Sequence, residues 1–269
     1  MAVLCHDILD LKADGEYIEL LLRREEKVHK SRRTRDPSTD PARADVVRWI
    51  MATKASLGFG LKTAYTAVAY FDRFFEHKSI ESMRDKTWAL KLLSVACLSL
   101  AAKMEEIKVL AISEFAIGED YRFSSEAVQR MELLVLSTME WRMLAVTPFP
   151  YLNFFASKLE ETPKDLMISN SIKFIFAAIE VMSSVRFQPS EVAAAAILAA
   201  LDERLTCKSV ESKMIYLSSS GLSNYEHVFA CYTLMIQQSH KLRSSNILAS
   251  FDASPANSTM TSSKRRRLQ

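Results

Sequence analysis

The chain has 269 residues, 49% hydrophobic and 25% charged, with a formal net charge of +3 at pH 7. That composition can bury a sizeable core and excludes a disordered polymer, and the length allows one large domain or two of ordinary size. The charge is uneven: KRRR at 264–267 carries +4 and leaves the rest at −1, so the body lacks the basic surface of a nucleic-acid binder.

At the N-terminus, MAVLCHDILDLKADGEY is too acidic and too short in apolar run for a signal peptide. No stretch reads as the roughly 18 apolar residues of a membrane span, so a soluble protein without membrane partners is expected. Cys5, Cys97, Cys207 and Cys231 form no CxxC pair, and no clustered His completes a zinc site. They read as reduced, mostly buried thiols of an intracellular protein, with no metal and no cofactor.

Glycine and proline placement then gives the fold class. Neither occurs between Gly60 and Gly118, from Lys164 to Gln188, or from Ser190 to Ser220. Strand-and-turn folds need breakers more often, and the apolar period in these stretches is helical, so the chain is all-α.

The predicted elements begin with an amphipathic helix near 15–30, followed by the basic linker SRRTRDPSTDP. Helices follow at about 41–57, 61–76, 85–105, 109–117 and 124–142. VTPFPYLNFF restarts the pattern, with Thr147 as N-cap and Pro148 at the first helical position. A second group is predicted at about 148–158, 163–185, 190–204, 209–218 and 222–243. Each group has a third helix rich in small residues, LLSVACLSLAAK and EVAAAAILAALDE, which lets neighbours approach on several sides and suits the centre of a bundle. The architecture is two similar five-helix bundles after an N-terminal helix. The boundaries are 1–39 for the helix and linker, 40–145 and 146–245 for the bundles, and 246–269 for a disordered basic tail.

Three charges sit on apolar rows. Lys103 lies on a face with Leu92, Val95, Ala96 and Ser99 at about 100° per residue, and Glu132 shares one with Val128, Val135 and Met139. Asp72 stands among aromatics in AVAYFDRFF, with Arg43 as an available partner. Buried unpaired, each would cost several kcal/mol, so each needs a partner inside the chain or outside it. Glu105 and Glu106, just beyond Lys103, read as a solvated helix end.

RADVVRWI, TAYTAVAYFDRFF, KLLSVACLSLAAKMEE and RMELLVLSTMEW, in this order and spacing, resemble the cyclin box, most closely that of plant D-type cyclins, over about 40–245. The resemblance implies an internal ion pair between Arg43 and Asp72, Leu92 in the core, and Lys103 and Glu132 facing a cyclin-dependent kinase. It therefore implies a non-catalytic regulatory subunit that binds and activates such a kinase in cell-cycle progression of the G1/S type, with kinase inhibitors as further partners. An ammonium can donate to backbone carbonyls and a carboxylate accept from N–H groups, so such a pair can grip main chain whatever the partner's side chains.

Two departures from the family bear on partners. The LxCxE motif that binds retinoblastoma-type proteins is degraded to Val3, Cys5 and Asp7 in VLCHD, which implies weak or absent binding there. In the patch that docks RxL peptides, Ala42 and Asp45 replace apolar anchors beside Val46 and Trp49, and an aspartate opposes an apolar ligand residue.

Lys264, Arg265, Arg266 and Arg267 read as a nuclear import address, placing the protein in the nucleus and cytoplasm. Ser254, before Pro255, is a candidate site for proline-directed phosphorylation, whereas Thr162 before Pro163 reads as a helix cap. GFGLKT at 58–63 lacks P-loop spacing and reads as a helix-to-helix turn, and no HExxH or GxSxG surrounds the five histidines, which argues against catalysis. Two other classes remain: a transcription-associated cyclin-box protein binding other factors or DNA, and a helical scaffold. The first wants a basic stripe on the body, and the second gives no reason for Lys103 and Glu132 on apolar rows.

Overall fold

The computed structural model describes residues 15–30, 41–77, 87–108, 110–115, 121–159, 163–217 and 224–244. These form ten α-helices and no strand among the described residues: α1 Gly15–Lys30, α2 Pro41–Leu57, α3 Leu61–His77, α4 Thr87–Glu105, α5 Ser125–Thr138, α6 Phe149–Ala156, α7 Lys164–Ala178, α8 Pro189–Leu201, α9 Cys207–Leu217 and α10 Tyr225–Ser244. Helices α2 to α5 build a first bundle and α6 to α10 a second. The linker 31–40, the tail 246–269, and Val3, Cys5, Asp7, Thr162, Ser254 and Lys264 to Arg267 lie outside the described residues.

The two small-residue helices occupy the bundle centres. Helix α4 packs on α2, α3 and α5, and α8 on α6, α7 and α10. Ala96, Cys97, Ala101 and Ala102 in α4 and Ala193 to Ala196 in α8 are essentially sealed from solvent, so a narrow helix replaces bulk with close approach of its neighbours. By length and composition α4 could cross a membrane, which corrects the expectation that no stretch is apolar enough. However, 72% of its apolar window is buried in the bundle.

Several helix ends differ from the sequence reading, each for a local reason. Within the segment expected as a helix at 109–117, the described residues 110–115 hold a 3-10 turn, Ile112–Phe115, tied by Glu114, which receives the Ala111 N–H on its side chain and donates its own N–H to the Ala111 carbonyl; so short an apolar run favours the tighter turn over an α-helix. Helix α5 stops at Thr138 because Glu140 and Trp141 take left-handed backbone, φ 52° and 61°. The chain thereby reverses so that the Tyr70 hydroxyl donates to the Met143 carbonyl. Helix α6 starts one residue late, with Pro148 rather than Thr147 at the cap and no side-chain capping bond.

Helix α7 ends at Ala178, seven residues before the expected 185. The carbonyls of Ile179, Glu180 and Met182 are taken by Arg43 of α2, which leaves them no role in a continuing helix. Helix α8 starts at Pro189 after Gln188, which forms a capping box with Glu191, and stops where Asp202 turns extended.

Candidate functional site

Lys103 stands on the last turn of α4, where the apolar row on which it lies leaves the core. Its Nζ lies 2.7 Å from both carboxylate oxygens of Glu132 on α5. The side chains are 38% and 8% exposed, so the carboxylate is the buried partner and the ammonium faces outward. An ammonium has three N–H donors; two engage Glu132 and the third is directed away from it. Next to this pair in sequence, Met104, Ile107 and Leu133 are exposed large apolar residues. The site is a half-exposed charge pair with exposed apolar residues adjoining it in sequence, a combination that can offer a partner's main chain both donors and an acceptor.

The elements under this pair are fastened by the acids that follow Lys103. Glu106 accepts from the Gly60 N–H at 2.7 Å and from the Thr63 hydroxyl, while Glu105 pairs with Lys62 at 2.7 Å and accepts from Thr66 at 3.3 Å. Both carboxylates therefore sit on the N-terminal turns of α3, where orphan N–H groups and the helix dipole favour negative charge. This corrects their reading as a solvated helix end: periodicity gives the face of a residue but not what lies opposite. It also settles GFGLKT as a turn, because Gly58 carries φ 71° and the chain's own Glu106 fills the α3 N-terminus. Burial lowers the Lys54 ammonium's pKa beneath the same junction, opposed by the Glu106 charge.

Deeper in the bundle, Arg43 and Asp72 are both 0% exposed and joined by two bonds, Nε to Oδ1 at 2.6 Å and Nη2 to Oδ2 at 3.0 Å. The other three guanidinium donors reach Ile179, Glu180 and Met182 in the second bundle at 2.8 to 3.0 Å, and the Ser184 N–H donates to Asp72 at 2.8 Å. Leu92 is buried in the core. Sequence reasoning missed the contact with residues 179–184, because backbone carbonyl acceptors leave no mark on residue type.

The residues of the α2 patch have partners within the chain. Asp45 is exposed and paired with Arg48, Val46 is buried, and half-buried Ala42 packs on the core. The Trp49 indole is stacked at 4.3 Å on Tyr121, whose ring also lies 5.4 Å from the Lys91 ammonium. Tyr121 was not foreseen; an aromatic after two acids in GEDYRF was the available signal. Among the described residues no cluster of His, Cys, Asp and Glu could hold a metal ion, and Cys97, Cys207 and Cys231 are free thiols.

The matching family models are the cyclin N-terminal domain over residues 16–144 and the cyclin C-terminal domain over 146–266. The chain belongs to the cyclin family. It is 44% identical over 219 residues to Cyclin-D5-2 of Oryza sativa subsp. japonica, covering 76% of this chain and 60% of that one. Against Cyclin-D1-1 of Arabidopsis thaliana it is 39% identical over 231 residues, 82% of this chain and 67% of the other. The chain thus spans about 60% of the length of the rice relative. Among solved structures, a viral cyclin from herpesvirus saimiri superposes with a TM-score of 0.62 at 16% identity, covering 83% of this cyclin and 96% of the viral one. A chain of the CAK complex from Chaetomium thermophilum bound to ATP-γ-S gives 0.53 at 14%, covering 91% and 80%. Both show the shared fold, and the relatives are plant D-type cyclins.

Proposed function

We propose that this cyclin binds and activates a cyclin-dependent serine/threonine kinase and promotes the G1-to-S step. The observation that carries the reading is the Lys103 and Glu132 pair on the N-terminal bundle, prebuilt with both oxygens at 2.7 Å and its ammonium turned outward. A kinase is active when the glutamate of its mobile helix pairs with the lysine that positions the phosphates. A subunit that binds only this helix-in state stabilises it by its differential affinity, so activation needs no catalytic residue in the cyclin. The pair supplies donors and an acceptor for the kinase backbone, and Met104, Ile107 and Leu133 supply apolar contact beside it.

The remaining partners are read from other segments of the chain. Kinase inhibitors would act on the assembled heterodimer. RxL peptides would find the α2 patch covered by Tyr121 and repelled by Asp45, and retinoblastoma-type proteins would bind VLCHD weakly if at all. The KRRR cluster would direct the complex to the nucleus. The deciding experiment is co-purification with a panel of cyclin-dependent kinases followed by a kinase assay, using the parent, Lys103→Ala and Glu132→Ala. Loss of binding and activation in folded variants supports the site; parent-like behaviour of both removes it.

A further inference from the structure

The turn that carries Lys103 is one that its own sequence does not favour. Lys103 suits the last turn of a helix, but Glu105 and Glu106 put two negative charges at the end of α4, where the helix dipole is already negative. No glycine follows until Gly118, so none is at hand to close the helix in left-handed backbone. An α4 left to itself would fray from this end and take Lys103 with it. Helical bonding nevertheless runs on past the turn, the Glu106 N–H donating to the Ala102 carbonyl at 2.9 Å.

What offsets the misplaced charge lies on the neighbouring helices. Glu106 Oε1 accepts from the Gly60 N–H at 2.7 Å and from the Thr63 hydroxyl, and Glu105 pairs with Lys62 at 2.7 Å. Charges that oppose the dipole of α4 at its C-terminus thereby complement that of α3 at its N-terminus. Lys54 of α2, 8% exposed, adds a cation whose charged form Glu106 favours. Lys103 and Met104 are exposed and Glu105 and Glu106 half-buried, so one turn presents two residues to the surface and the next two to this junction.

We infer that Glu106 is a positioning residue for the kinase grip: by fastening the last turn of α4 to the N-terminus of α3 it fixes where Lys103 meets the partner. The inference rests on the Lys103 and Glu132 pair being the kinase contact. The lysine is then held at two points, its ammonium by Glu132 and its backbone turn by Glu106. A local preference overruled by a tertiary bond, as in this turn, is what a functional position shows when the rest of the helix obeys the local rules.

Two measurements on the full chain test it. The first needs no kinase: amide hydrogen exchange of residues 103–105 against 92–98 of the same helix, corrected for the sequence dependence of intrinsic exchange. Glu106→Ala removes an acid from a helix C-terminus and adds the best helix former, so on local grounds alone exchange of the turn would slow. With Glu106 holding the turn it instead quickens by about tenfold while 92–98 stay as in the parent, Thr63→Val quickens it by about threefold, and Glu106→Gln falls between Glu106→Ala and the parent. The second is a double-mutant cycle of affinity for the cyclin-dependent kinase that the parent retains in co-purification. Glu106→Ala weakens binding by about tenfold in the parent and by less than about twofold in Lys103→Ala, where nothing is left to position. Slower or unchanged exchange in Glu106→Ala, or undiminished binding, overturns the inference. A loss of binding that persists undiminished in the Lys103→Ala background also overturns it and gives Glu106 a kinase contact of its own. Equal binding by the parent and Lys103→Ala is instead a failure of the kinase reading, and the exchange comparison still decides whether Glu106 holds the turn.

Discussion

Arg43 and Asp72 lie 2.6 Å apart at their nearest atoms, fully buried in the first bundle, yet three further guanidinium bonds and the Ser184 N–H that Asp72 accepts link them to residues 179–184 of the second. All five guanidinium donors are engaged, three of them across the boundary between bundles. Removing either partner leaves an uncompensated buried charge, so Arg43→Ala and Asp72→Ala should each cost about 3–5 kcal/mol in urea unfolding. Arg43→Lys should rescue little, because an ammonium cannot reproduce the planar five-donor fork. A loss below about 1 kcal/mol for either alanine variant would show that the pair is dispensable.

The Lys103 and Glu132 pair should respond asymmetrically. Lys103→Ala leaves a carboxylate that is 8% exposed without its cation, whereas Glu132→Ala leaves an ammonium that is 38% exposed and can turn to water. The lysine variant should therefore lose about 1–2 kcal/mol of stability and the glutamate variant about half of that, the exposed end being screened by solvent. Kinase binding should nevertheless suffer in both. Equal stability losses, measured in the same denaturant series, would contradict the burial difference.

Glu106 is predicted to act as a long-range cap of α3. Glu106→Ala removes the acceptor of the Gly60 N–H and the Thr63 hydroxyl and takes a negative charge from the helix N-terminus. It should cost about 1–2 kcal/mol, with Glu106→Gln keeping part of this because its amide oxygen can still accept. A neutral alanine variant in thermal unfolding would return Glu106 to the role of a solvated helix end.

The all-α class, the two bundles and their hub helices were legible because Gly and Pro spacing and runs of small residues act locally. Charges on apolar rows pointed correctly to Asp72 and Glu132 as groups that need partners. What escaped the sequence was mostly the identity of distant partners: Ile179, Glu180 and Met182 offer only carbonyls to Arg43, and Ser190 receives Glu25 from 165 residues away. The left-handed pair Glu140 and Trp141 was also invisible, because the turn that closes α5, with the Glu140 and Trp141 N–H groups donating to the Ser137 and Leu136 carbonyls, uses residue types that rarely choose that backbone.

The two glycines of GFGLKT look interchangeable in sequence and should not be so in substitution. Gly58 has φ 71°, and a Cβ there would meet nothing within 4 Å, so the cost of Gly58→Ala is conformational alone, about 1–2 kcal/mol. At Gly60 a Cβ would stand 3.6 Å from the Glu106 carboxylate and 3.7 Å from the Thr63 hydroxyl, ordinary contact distances, with no left-handed backbone to resist it. Gly60→Ala should therefore change stability by less than about 0.5 kcal/mol, or raise it slightly by restricting the unfolded chain. Denaturant midpoints of the two variants give the comparison. If Gly60→Ala were the more damaging, crowding around the Glu106 cap rather than the turn at Gly58 would limit this corner of the first bundle.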